Sequence, residues 1–238
     1  MSAPRARIAD PEVLAHFEAA PLFRTLTPAE RAALARHTRV VSLRAHGVLW
    51  REGDEATQLG LVLHGRVAIE RASLRRLMVD VAGEGQLVGE VALSLGAAYQ
   101  FDVRCLRKAR VALVPAPALH DLMGRQPGLG LALAATLGHE VLRLTRRLEA
   151  LSAGNVSQRL ARVLLGLTER FGTPFPGGTL MPVRLRREDL AALAATTVES
   201  ASRQISAWKR QGVLVPQPAG FLVKDFRALR LLGDLVEP

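Results

Sequence analysis

The first forty residues carry apolar side chains at helical spacing. Residues 10–38 fit an amphipathic helical segment, and its second half reads TPAERAALARH. Thr27 is a predicted N-cap, Pro28 takes the first helical position, and Glu30 follows three residues after the cap. This spacing predicts a helix that starts at Pro28.

Between about residue 39 and residue 115, the period of the pattern changes from helical to alternating. Glycines separate short runs rich in β-branched residues. Alternating apolar positions include Val67, Ile69, Leu77, Val79 and Val81. Such alternation predicts strands buried on one face. Many short strands separated by close turns favour an antiparallel barrel or roll.

Residues 118–152 return to helical spacing, with one narrow apolar stripe. The stripe steps by four and three residues through Leu137, Val141, Leu144, Leu148 and Leu151. A heptad seam of this kind is typical of two helices from separate chains packed side by side, so it predicts a dimer. An ordinary helix packed on its own domain is the alternative.

The last third predicts helices followed by a small hairpin. GNVSQRLARVLLGLTERFG (154–172) reads as a helix, TPFPGGT as a loop and MPVRL as a short strand. The helices REDLAALAA and VESASRQISAWKRQG follow, and then two β runs in VLVPQPAGFLVKD. Helix, short turn, helix and hairpin is the order of a winged helix-turn-helix.

These elements predict an α+β chain of three parts. An N-terminal antiparallel β-roll with its helices takes residues 1–125, and a long helix that carries the seam takes residues 126–153. A C-terminal winged helix-turn-helix takes residues 154–238.

The helix from Val198 has two different faces. Val198, Ala201, Ile205 and Trp208 form an apolar stripe, which should pack on Leu190 and Leu193 of the helix before it. The polar stripe holds Glu199, Ser202, Arg203, Ser206, Lys209 and Arg210. In a major groove, arginine pairs with guanine and glutamate accepts from cytosine. A solvated face is the alternative, with Thr196 and Glu199 serving only as a capping box.

The amino-acid composition limits the class of binding partner. Lys and Arg number 32 against 22 Asp and Glu, a net charge of +10, which favours a polyanion, either nucleic acid or an anionic membrane surface. No run of about 18 apolar residues predicts a membrane span. The start, MSAPRARIADPEV, lacks the apolar segment of a secretory signal. We therefore expect a soluble, cytoplasmic protein.

At this point the sequence resembles the CRP/FNR-type transcription regulators over nearly its whole length. The segments that carry the resemblance are GLVLHGRVAIE and GEGQLVGEVAL, the seam helix, and REDLAALAATTVESASRQISAWKRQGVL. The resemblance implies that the N-terminal antiparallel β-roll is a cyclic-nucleotide-binding-like sensor domain that binds an effector. It also implies that the helix over residues 126–153 is a dimerisation helix and that residues 154–238 form a DNA-binding winged helix-turn-helix.

VESASR resembles the V-E-x-x-S-R pattern of the FNR branch. It implies that Glu199, Ser202 and Arg203 read bases of a TTGA-type half-site. The predicted phosphate contacts are Arg187, Thr197, Ser206, Lys209 and Arg210. Two positions depart from the family: Arg186 replaces a Ser or Thr cap, and Ala195 replaces a turn glycine, which predicts backbone strain.

The effector cassette of the cyclic-nucleotide binders is incomplete here. Gly89 and Glu90 match its Gly-Glu pair, but Gln100 and Phe101 fall where Arg-Ser would pair with the phosphate. Leu144 and Thr145 fall where Thr-Ser would meet adenine. These six residues are the candidate effector pocket, and their types disfavour cyclic AMP in the usual pose. Arg104 could replace the cassette arginine only if the loop shifted.

The numbers of cysteine and histidine residues limit which other groups the protein could use to sense a signal. An iron–sulfur cluster of the FNR kind needs four cysteines, and the chain has Cys105 alone. We predict no metal cluster, while haem and a Cys105 redox switch stay open and the effector is unknown. The candidate haem ligands are His16, His37, His46, His64, His120, His139 and Cys105.

The function predicted is a homodimeric, sequence-specific DNA-binding regulator of transcription, acting with RNA polymerase. Its β-roll would control it allosterically, or it would be constitutively active. The alternative is a ligand-binding module that acts on a partner protein without specific DNA binding. No phosphate loop, catalytic triad or metal-ligand cluster suggests an enzyme.

Overall fold

The computed structural model describes residues 9–71, 77–152 and 154–233. These residues form two compact units. The first holds residues 9–71 and 81–142, and the second holds residues 77–80 and the described residues from 143 onward.

The N-terminal segment folds as two α-helices joined by a 3-10 helix. Helix α1 covers Pro11–Ala19, the 3-10 helix covers Pro21–Thr25 and α2 covers Pro28–His37. The predicted cap of α2 is confirmed, because Thr27 accepts from the backbone N–H of Glu30 and donates its own backbone N–H to the Glu30 carboxylate.

Six strands form one antiparallel sheet. They are β1 (Arg39–Leu43), β2 (Val48–Trp50), β3 (Gln58–Arg71), β4 (Leu77–Ala82), β5 (Leu87–Val88) and β6 (Asp102–Pro115). The order is β1-β6-β3-β4, with β2 paired to β6 and β5 to β3. The short helix α3 (Glu90–Leu95) follows β5. This is the roll that the alternating pattern predicted.

Strand β3 is buried on both faces. Leu59, Leu61 and Leu63 pack with the N-terminal helices, whereas Val62 and Val67 belong to a second core inside the roll. The run LGLVL is therefore almost continuously apolar, because each successive side chain enters one of two cores.

The predicted inward face of β4 is wrong in its first half. Leu77 is 42% exposed and Val79 is half-buried, while Met78 and Asp80 are buried. Asp80 forms ion pairs with Arg143 and Arg170, which permits a carboxylate on the buried face. Val81 is buried as predicted.

The helix predicted over residues 118–152 is two helices. Helix α4 covers Ala116–Arg125 and α5 covers Pro127–Ser152. The break falls at Gln126, because the residue before a proline is disfavoured in helical conformation.

The second unit has four helical elements beyond α5 and one sheet. The helices are α6 (Val156–Phe171), α7 (Arg187–Leu193), α8 (Val198–Arg210) and α9 (Phe226–Leu232). The strands are β7 (Thr173–Phe175), β8 (Gly178–Met181), β9 (Leu214–Gln217) and β10 (Gly220–Val223). The antiparallel order is β7-β8-β10-β9.

This sheet corrects two predictions and confirms a third. TPFPGGT is a hairpin and not a loop, and the strand of MPVRL ends at Met181. The predicted wing hairpin is formed by β9 and β10, and β10 also pairs with β8. The prolines of β7 and β9 lie on the edge strands, where a missing N–H is tolerated. At Gly220 a Cβ would lie 2.1 Å from the Met181 carbonyl, so this approach of β10 to β8 requires glycine.

The predicted packing of α8 on α7 is confirmed, apart from its first residue. Ala201, Ile205 and Trp208 are at most 1% exposed, whereas Val198 is 36% exposed. The buried stripe thus begins one turn into the helix, and α8 presents its opposite face outward.

Candidate nucleic-acid interface and effector region

The start of α8 is set by Thr197. Its hydroxyl accepts from the backbone N–H of Ser200 at 3.2 Å, so Thr197 is the N-cap. The predicted capping box of Thr196 and Glu199 is wrong, because the helix begins one residue later than that box requires. Glu199 therefore occupies the second helical position.

Glu199 is exposed and carries a stabilised negative charge. Hydrogen bonds from its own backbone N–H, and then from the Thr197 side chain, lower the pKa of its carboxyl group. The carboxylate is charged at neutral pH and can accept a hydrogen bond from a ligand on the outer face of α8.

The exposed face of α8 gathers the predicted DNA-reading residues. Glu199, Arg203, Lys209 and Arg210 are exposed, and Ser202 and Ser206 are half-buried. Glu199 and Arg203 are four residues apart on this face, but Arg203 makes no ion pair with Glu199 or with any other residue that the structure describes. Its guanidinium is therefore available for a bidentate contact with a base.

Arg187 opens helix α7 and is half-buried. One of its guanidinium nitrogens, Nη1, is buried without a hydrogen-bond partner in the described part of the chain. A buried donor left unsatisfied costs roughly 1–3 kcal/mol, so this atom is poised for an acceptor such as a phosphate oxygen.

The cap before α7 also matches the sequence expectation. Arg186 supplies no side-chain cap, and its backbone N–H donates to the Asp189 carboxylate at 2.9 Å instead. The helix start thus keeps only the half of a capping box that its third residue provides.

The turn between α7 and α8 has a strained residue, as predicted. Ala195 has φ +47°, in the left-handed region that favours glycine. Arginines hold the two carbonyls before it: Arg147 Nη2 donates to Leu193 O at 2.8 Å, and Arg159 Nε donates to Ala194 O at 3.1 Å. These contacts fix the direction in which α8 leaves the turn.

Two aromatic side chains fill the roll beside Gly89. Trp50 and Tyr99 stack with ring centroids 4.1 Å apart and planes within 2°. The Tyr99 hydroxyl donates to Gln58 O at 2.6 Å, and burial raises its pKa. A Cβ on Gly89, whose φ is +85°, would lie 3.0 Å from each of the two rings.

Sequence reasoning missed the aromatic pair. The available signal was scarcity, since the chain has one tyrosine and two tryptophans. No local pattern shows that Trp50 and Tyr99 meet, because they are far apart in sequence and β2 has only three residues.

The other predicted pocket residues of the first unit are engaged locally. Gln100 Nε2 donates to Ala98 O at 2.5 Å, and Phe101 lies beneath the Arg71 guanidinium at 5.3 Å. Glu90 is the first residue of α3. Leu144 and Thr145 belong to the second unit, on the exposed side of α5.

Arg104 is already paired inside the roll. It is 8% exposed, and its guanidinium forms two hydrogen bonds with the Glu70 carboxylate, at 2.5 and 3.1 Å. Its third nitrogen lies 3.2 Å from His46 Nδ1. To bind a phosphate instead, Arg104 would have to leave Glu70 with a buried, uncompensated charge.

The histidines and the cysteine lie in different environments. His16 and His64 have ring centroids 5.8 Å apart, and both approach Glu84, at 3.6 and 3.5 Å. Cys105 is fully buried, which raises its thiol pKa and disfavours the reactive thiolate. In the described ranges, no three His, Cys, Asp or Glu side chains are grouped as metal ligands.

Helix α5 exposes much of its seam. Val141 and Leu148 are 62% and 70% exposed, and Leu144 is 37% exposed. Leu137 is partly buried against the core of the first unit, and Leu151 is half-buried. This apolar stripe is unusual for a surface that stays in water.

Positive charge is concentrated at the C-terminal end of the chain. Residues 154–233 contain twelve Lys and Arg against five Asp and Glu, so most of the excess of ten charges lies there. Within the described residues, no helix is both long enough and apolar enough to cross a membrane.

Two family models match successive parts of the chain. The cyclic nucleotide-binding domain matches residues 40–126, and the Crp-like helix-turn-helix domain matches residues 158–232. The first covers β1 to α4, and the second covers almost all of α6 to α9.

Whole-chain comparisons agree with these domains. The chain is 23% identical to the CRP-like cAMP-activated global transcriptional regulator of Mycobacterium tuberculosis, over 92% of this chain and 97% of the relative. It is 29% identical to the nitrogen fixation regulation protein FixK of Azorhizobium caulinodans, over 58% and 57%.

A solved structure of similar fold is FixK2 from Bradyrhizobium japonicum, with a TM-score of 0.72 and 20% identity. The match covers 82% of this chain and 96% of FixK2. Relatives of this kind are transcription regulators rather than enzymes. The matched domains and the regulators that share them show that the chain belongs to the CRP/FNR family of DNA-binding transcription regulators.

Proposed function

We propose that the protein binds DNA as a homodimer, at a near-palindromic site with TTGA-type half-sites. The observation that carries the proposal is the outer face of α8, where Glu199 and Arg203 are exposed and Arg203 has no ion-pair partner in the described chain. In this role Glu199, Ser202 and Arg203 contact base edges in the major groove.

Phosphate contacts would surround this face. Lys209 and Arg210 lie at the C-terminal end of α8, and the unsatisfied Nη1 of Arg187 opens α7. Thr197 and Ser206 add hydroxyl groups. Such contacts position the protein on the duplex and make the affinity fall with salt concentration.

The dimer would form through α5. Val141, Leu144 and Leu148 are exposed at heptad spacing, so pairing with the same stripe of a second chain removes them from water. A two-fold dimer places two α8 helices in successive major grooves, with half-sites about one helical turn apart.

Control is proposed to act through the roll, or the protein is constitutively active. The CRP/FNR family senses ligands, and this chain carries the matching domain. We infer that cyclic AMP in the usual pose is not the effector, because Gln100 and Phe101 carry no cation and Trp50 and Tyr99 fill the space beside Gly89. Haem stays a candidate through the histidines named above.

In the cell, we propose that the protein acts in the cytoplasm and contacts RNA polymerase. The relatives it resembles are bacterial regulators of transcription, and this supports both statements.

Fluorescence anisotropy with purified, ligand-free protein tests the proposal. The labelled duplex carries a TTGA-type inverted repeat, a scrambled duplex of the same composition is the control, and both are titrated at two salt concentrations. We expect preference for the inverted repeat, with affinity that falls as salt rises.

Two variants sharpen the test. Arg203→Ala should abolish the preference for the inverted repeat, because it removes the bidentate base contact. Arg227→Ala, an exposed arginine on α9, should leave it unchanged. Equal affinity of the wild type for both duplexes, with an absorption spectrum that shows no haem, would refute the TTGA site in the ligand-free state. An unchanged preference in Arg203→Ala would refute the assigned reading face.

A further inference from the structure

A cluster of histidine and glutamate side chains joins α1 to the roll. It comprises Glu12, His16, His64 and Glu84, and it is called the His16–His64 cluster below. Glu12 and His16 are four residues apart on one face of α1. His64 lies on β3, and Glu84 lies in the turn between β4 and β5. All four residues belong to the first unit.

Backbone contacts bring the turn with Glu84 close to His64. Gly85 N–H donates to Val62 O at 2.8 Å, and Val62 N–H donates to Gln86 O at 3.0 Å, so the turn is held on β3. The pairing of β3 with β6 shifts register between Val62 and His64. Such an irregularity turns a side chain out of the regular alternation. His64 is accordingly exposed, and its ring meets both α1 and the turn.

Both histidines face acceptor oxygens with both ring nitrogens. His16 Nδ1 lies 2.9 Å from Glu12 O, and His16 Nε2 lies 3.6 Å from Glu84 Oε1. His64 Nε2 lies 3.0 Å from Glu12 Oε1, and His64 Nδ1 lies 3.5 Å from Glu84 Oε2. A neutral imidazole carries one N–H and donates to only one of its two acceptors, whereas an imidazolium donates to both. Each neutral ring therefore leaves one lone pair opposite an oxygen atom.

The cluster also lacks a donor at Glu12. The Oε1 atom of Glu12 is buried and accepts no hydrogen bond from the described residues, although His64 Nε2 approaches it. A buried acceptor without a donor is unfavourable. One proton added to His64 supplies N–H groups toward both Glu12 and Glu84.

Two arginines limit how many protons the cluster takes up. Arg110 of β6 forms an ion pair with Glu12. Burial lowers the pKa of Arg66 of β3, and the nearby Glu84 carboxylate raises it. These two cations already balance the two carboxylates. The two histidine rings have centroids 5.8 Å apart, so two imidazolium groups would repel each other, and we expect the uptake of a single proton.

We propose that the His16–His64 cluster is a proton-binding site that fastens α1 to the roll as the pH falls. Without the added proton, the contacts to Glu84 stay open at 3.5 and 3.6 Å. When a proton binds, charge-assisted hydrogen bonds to the Glu84 carboxylate form and shorten these contacts. Histidine is the side chain that ordinarily changes its charge between about pH 8 and about pH 5, so the contacts should close in this range.

The ligand of this site is a proton and not an iron atom. The Glu84 carboxylate lies opposite His16 Nε2 and His64 Nδ1, and Glu12 oxygens lie opposite the other two ring nitrogens. An iron atom would need one of these nitrogens as a ligand, with its lone pair open to the metal. This arrangement argues against these two histidines as haem ligands.

Amide hydrogen exchange on the full-length protein tests the site without DNA. The peptide of interest covers residues 11–19, and the rates of variant and wild type are compared at the same pH, so the intrinsic pH dependence of exchange cancels. Glu84→Gln should raise exchange in α1 about fivefold at about pH 5.5 and by less than about twofold at about pH 8. The effect is modest because the Glu84 side chain is 61% exposed. A chelator is present throughout, so that protons are the only ligand.

A second variant and two controls complete the experiment. His64→Gln removes the ring that lies between the two carboxylates, and it should also raise exchange in α1 mainly in acid. It carries the test if circular dichroism shows that Glu84→Gln is unfolded. His120→Gln and Glu55→Gln replace exposed residues of the same unit and should leave the exchange of residues 11–19 unchanged at both pH values.

The pH dependence separates a proton site from an ordinary network of ion pairs. A rise confined to acid in Glu84→Gln and His64→Gln would support the proposal. A rise of equal size at both pH values would overturn it, because the contacts would then be closed without the proton. The absence of any rise, or an equal rise in the controls, would overturn it as well. None of these results depends on the DNA site, because the cluster lies entirely in the first unit.

Discussion

Single residues decide where the recognition helix begins and how it is aimed. Ala195 takes a left-handed conformation at φ +47°, and Thr197 caps the helix two residues later. The sequence allowed the first to be foreseen, because alanine stands where the family uses glycine. The cap was misplaced by one residue, because Thr196 and Glu199 have the spacing of a capping box whereas the helix starts after Thr197.

Ala195→Gly should stabilise the second unit. Glycine adopts the left-handed conformation freely, which relieves a cost of about 1–2 kcal/mol, and loses part of this gain to the entropy of the unfolded chain. We expect the free energy of unfolding to rise by about 0.5–1 kcal/mol. Urea denaturation followed by Trp208 fluorescence, in a Trp50→Phe background, measures it.

The neighbouring alanine supplies the control for that experiment. Ala194 is fully buried with φ −95°, so Ala194→Gly removes a packed methyl group and adds only entropy to the unfolded state. It should lower stability by roughly 0.5–1 kcal/mol. Destabilisation by Ala195→Gly would show that the turn is not strained.

Glu199 gives an expectation for pH. Its pKa lies below the ordinary 4.5, so the carboxylate keeps its charge as pH falls through neutrality and takes up a proton only in more acid solution. Residues 154–233 contain no histidine, so the preference for the inverted repeat should be constant from about pH 8 to about pH 6. Anisotropy titrations across this range measure it.

Substitution of Glu199 then tests whether its carboxylate contributes to the preference for the inverted repeat across this pH range. Glu199→Gln should relax selection at one base pair of each half-site throughout the range, whereas Glu188→Gln, an exposed glutamate of α7, should not. A preference that declines toward pH 6 in the wild type would count against the role given to Glu199.

Among the helices and strands, the sequence pattern predicted best those elements that have one face in solvent and the other face in the core. Helix α2 follows from its Thr27 cap, and helix α8 follows from its apolar and polar stripes although its cap lies one residue later than the sequence suggested. The pattern failed in β4, because Asp80 is buried by arginines from α5 and α6, and a charged residue looks outward-facing until those partners are known. It also failed at β7 and β8, because their short proline- and glycine-rich sequence forms strands through pairing of β7 with β8 and of β8 with the distant β10.

The corrected face of β4 has a direct consequence for stability. Met78 is fully buried and Leu77 is 42% exposed, so the two adjacent residues should differ on truncation. Met78→Ala should lower the free energy of unfolding by about 2–5 kcal/mol, and Leu77→Ala by about 1 kcal/mol or less. Urea denaturation of the two variants measures both losses. A larger loss for Leu77→Ala than for Met78→Ala would show that Leu77 faces the core, as the sequence pattern predicted.

The seam of α5 makes a prediction about assembly. Leu148→Glu should raise the dimer dissociation constant by roughly a hundredfold or more, because two-fold symmetry places the charge in the interface twice. Sedimentation equilibrium measures the constant. Leu231→Glu is the control, since Leu231 is also exposed, at 63%, but lies on α9. A dimer that tolerates Leu148→Glu would move the interface elsewhere.

For the whole molecule, the order of roll, long helix and winged helix-turn-helix was predictable from the sequence. The side-chain contacts inside the roll were not. Each domain leaves a long signature: glycine-separated strands, a heptad seam, and two helices before a hairpin. The interior of the roll depends instead on the stacking of Trp50 on Tyr99 and on the ion pair between Arg104 and Glu70. Each pair joins segments that are far apart in the sequence. Residue types alone therefore disfavoured cyclic AMP, without showing what occupies the space beside Gly89.

The number of cationic phosphate contacts in the whole dimer should determine how steeply its affinity for DNA falls with salt concentration. Arg187, Lys209 and Arg210 give three cationic phosphate contacts per protomer and six per dimer, so log K should fall with log salt at a slope of roughly −5. Lys209→Ala removes two contacts per dimer and should reduce that slope by about 2 on any duplex, whereas Arg227→Ala should not change it. Anisotropy titrations at several salt concentrations give the slopes. If Lys209→Ala weakened binding with an unchanged slope, the lysine would not contact phosphate, and the backbone path assigned along α8 would be wrong.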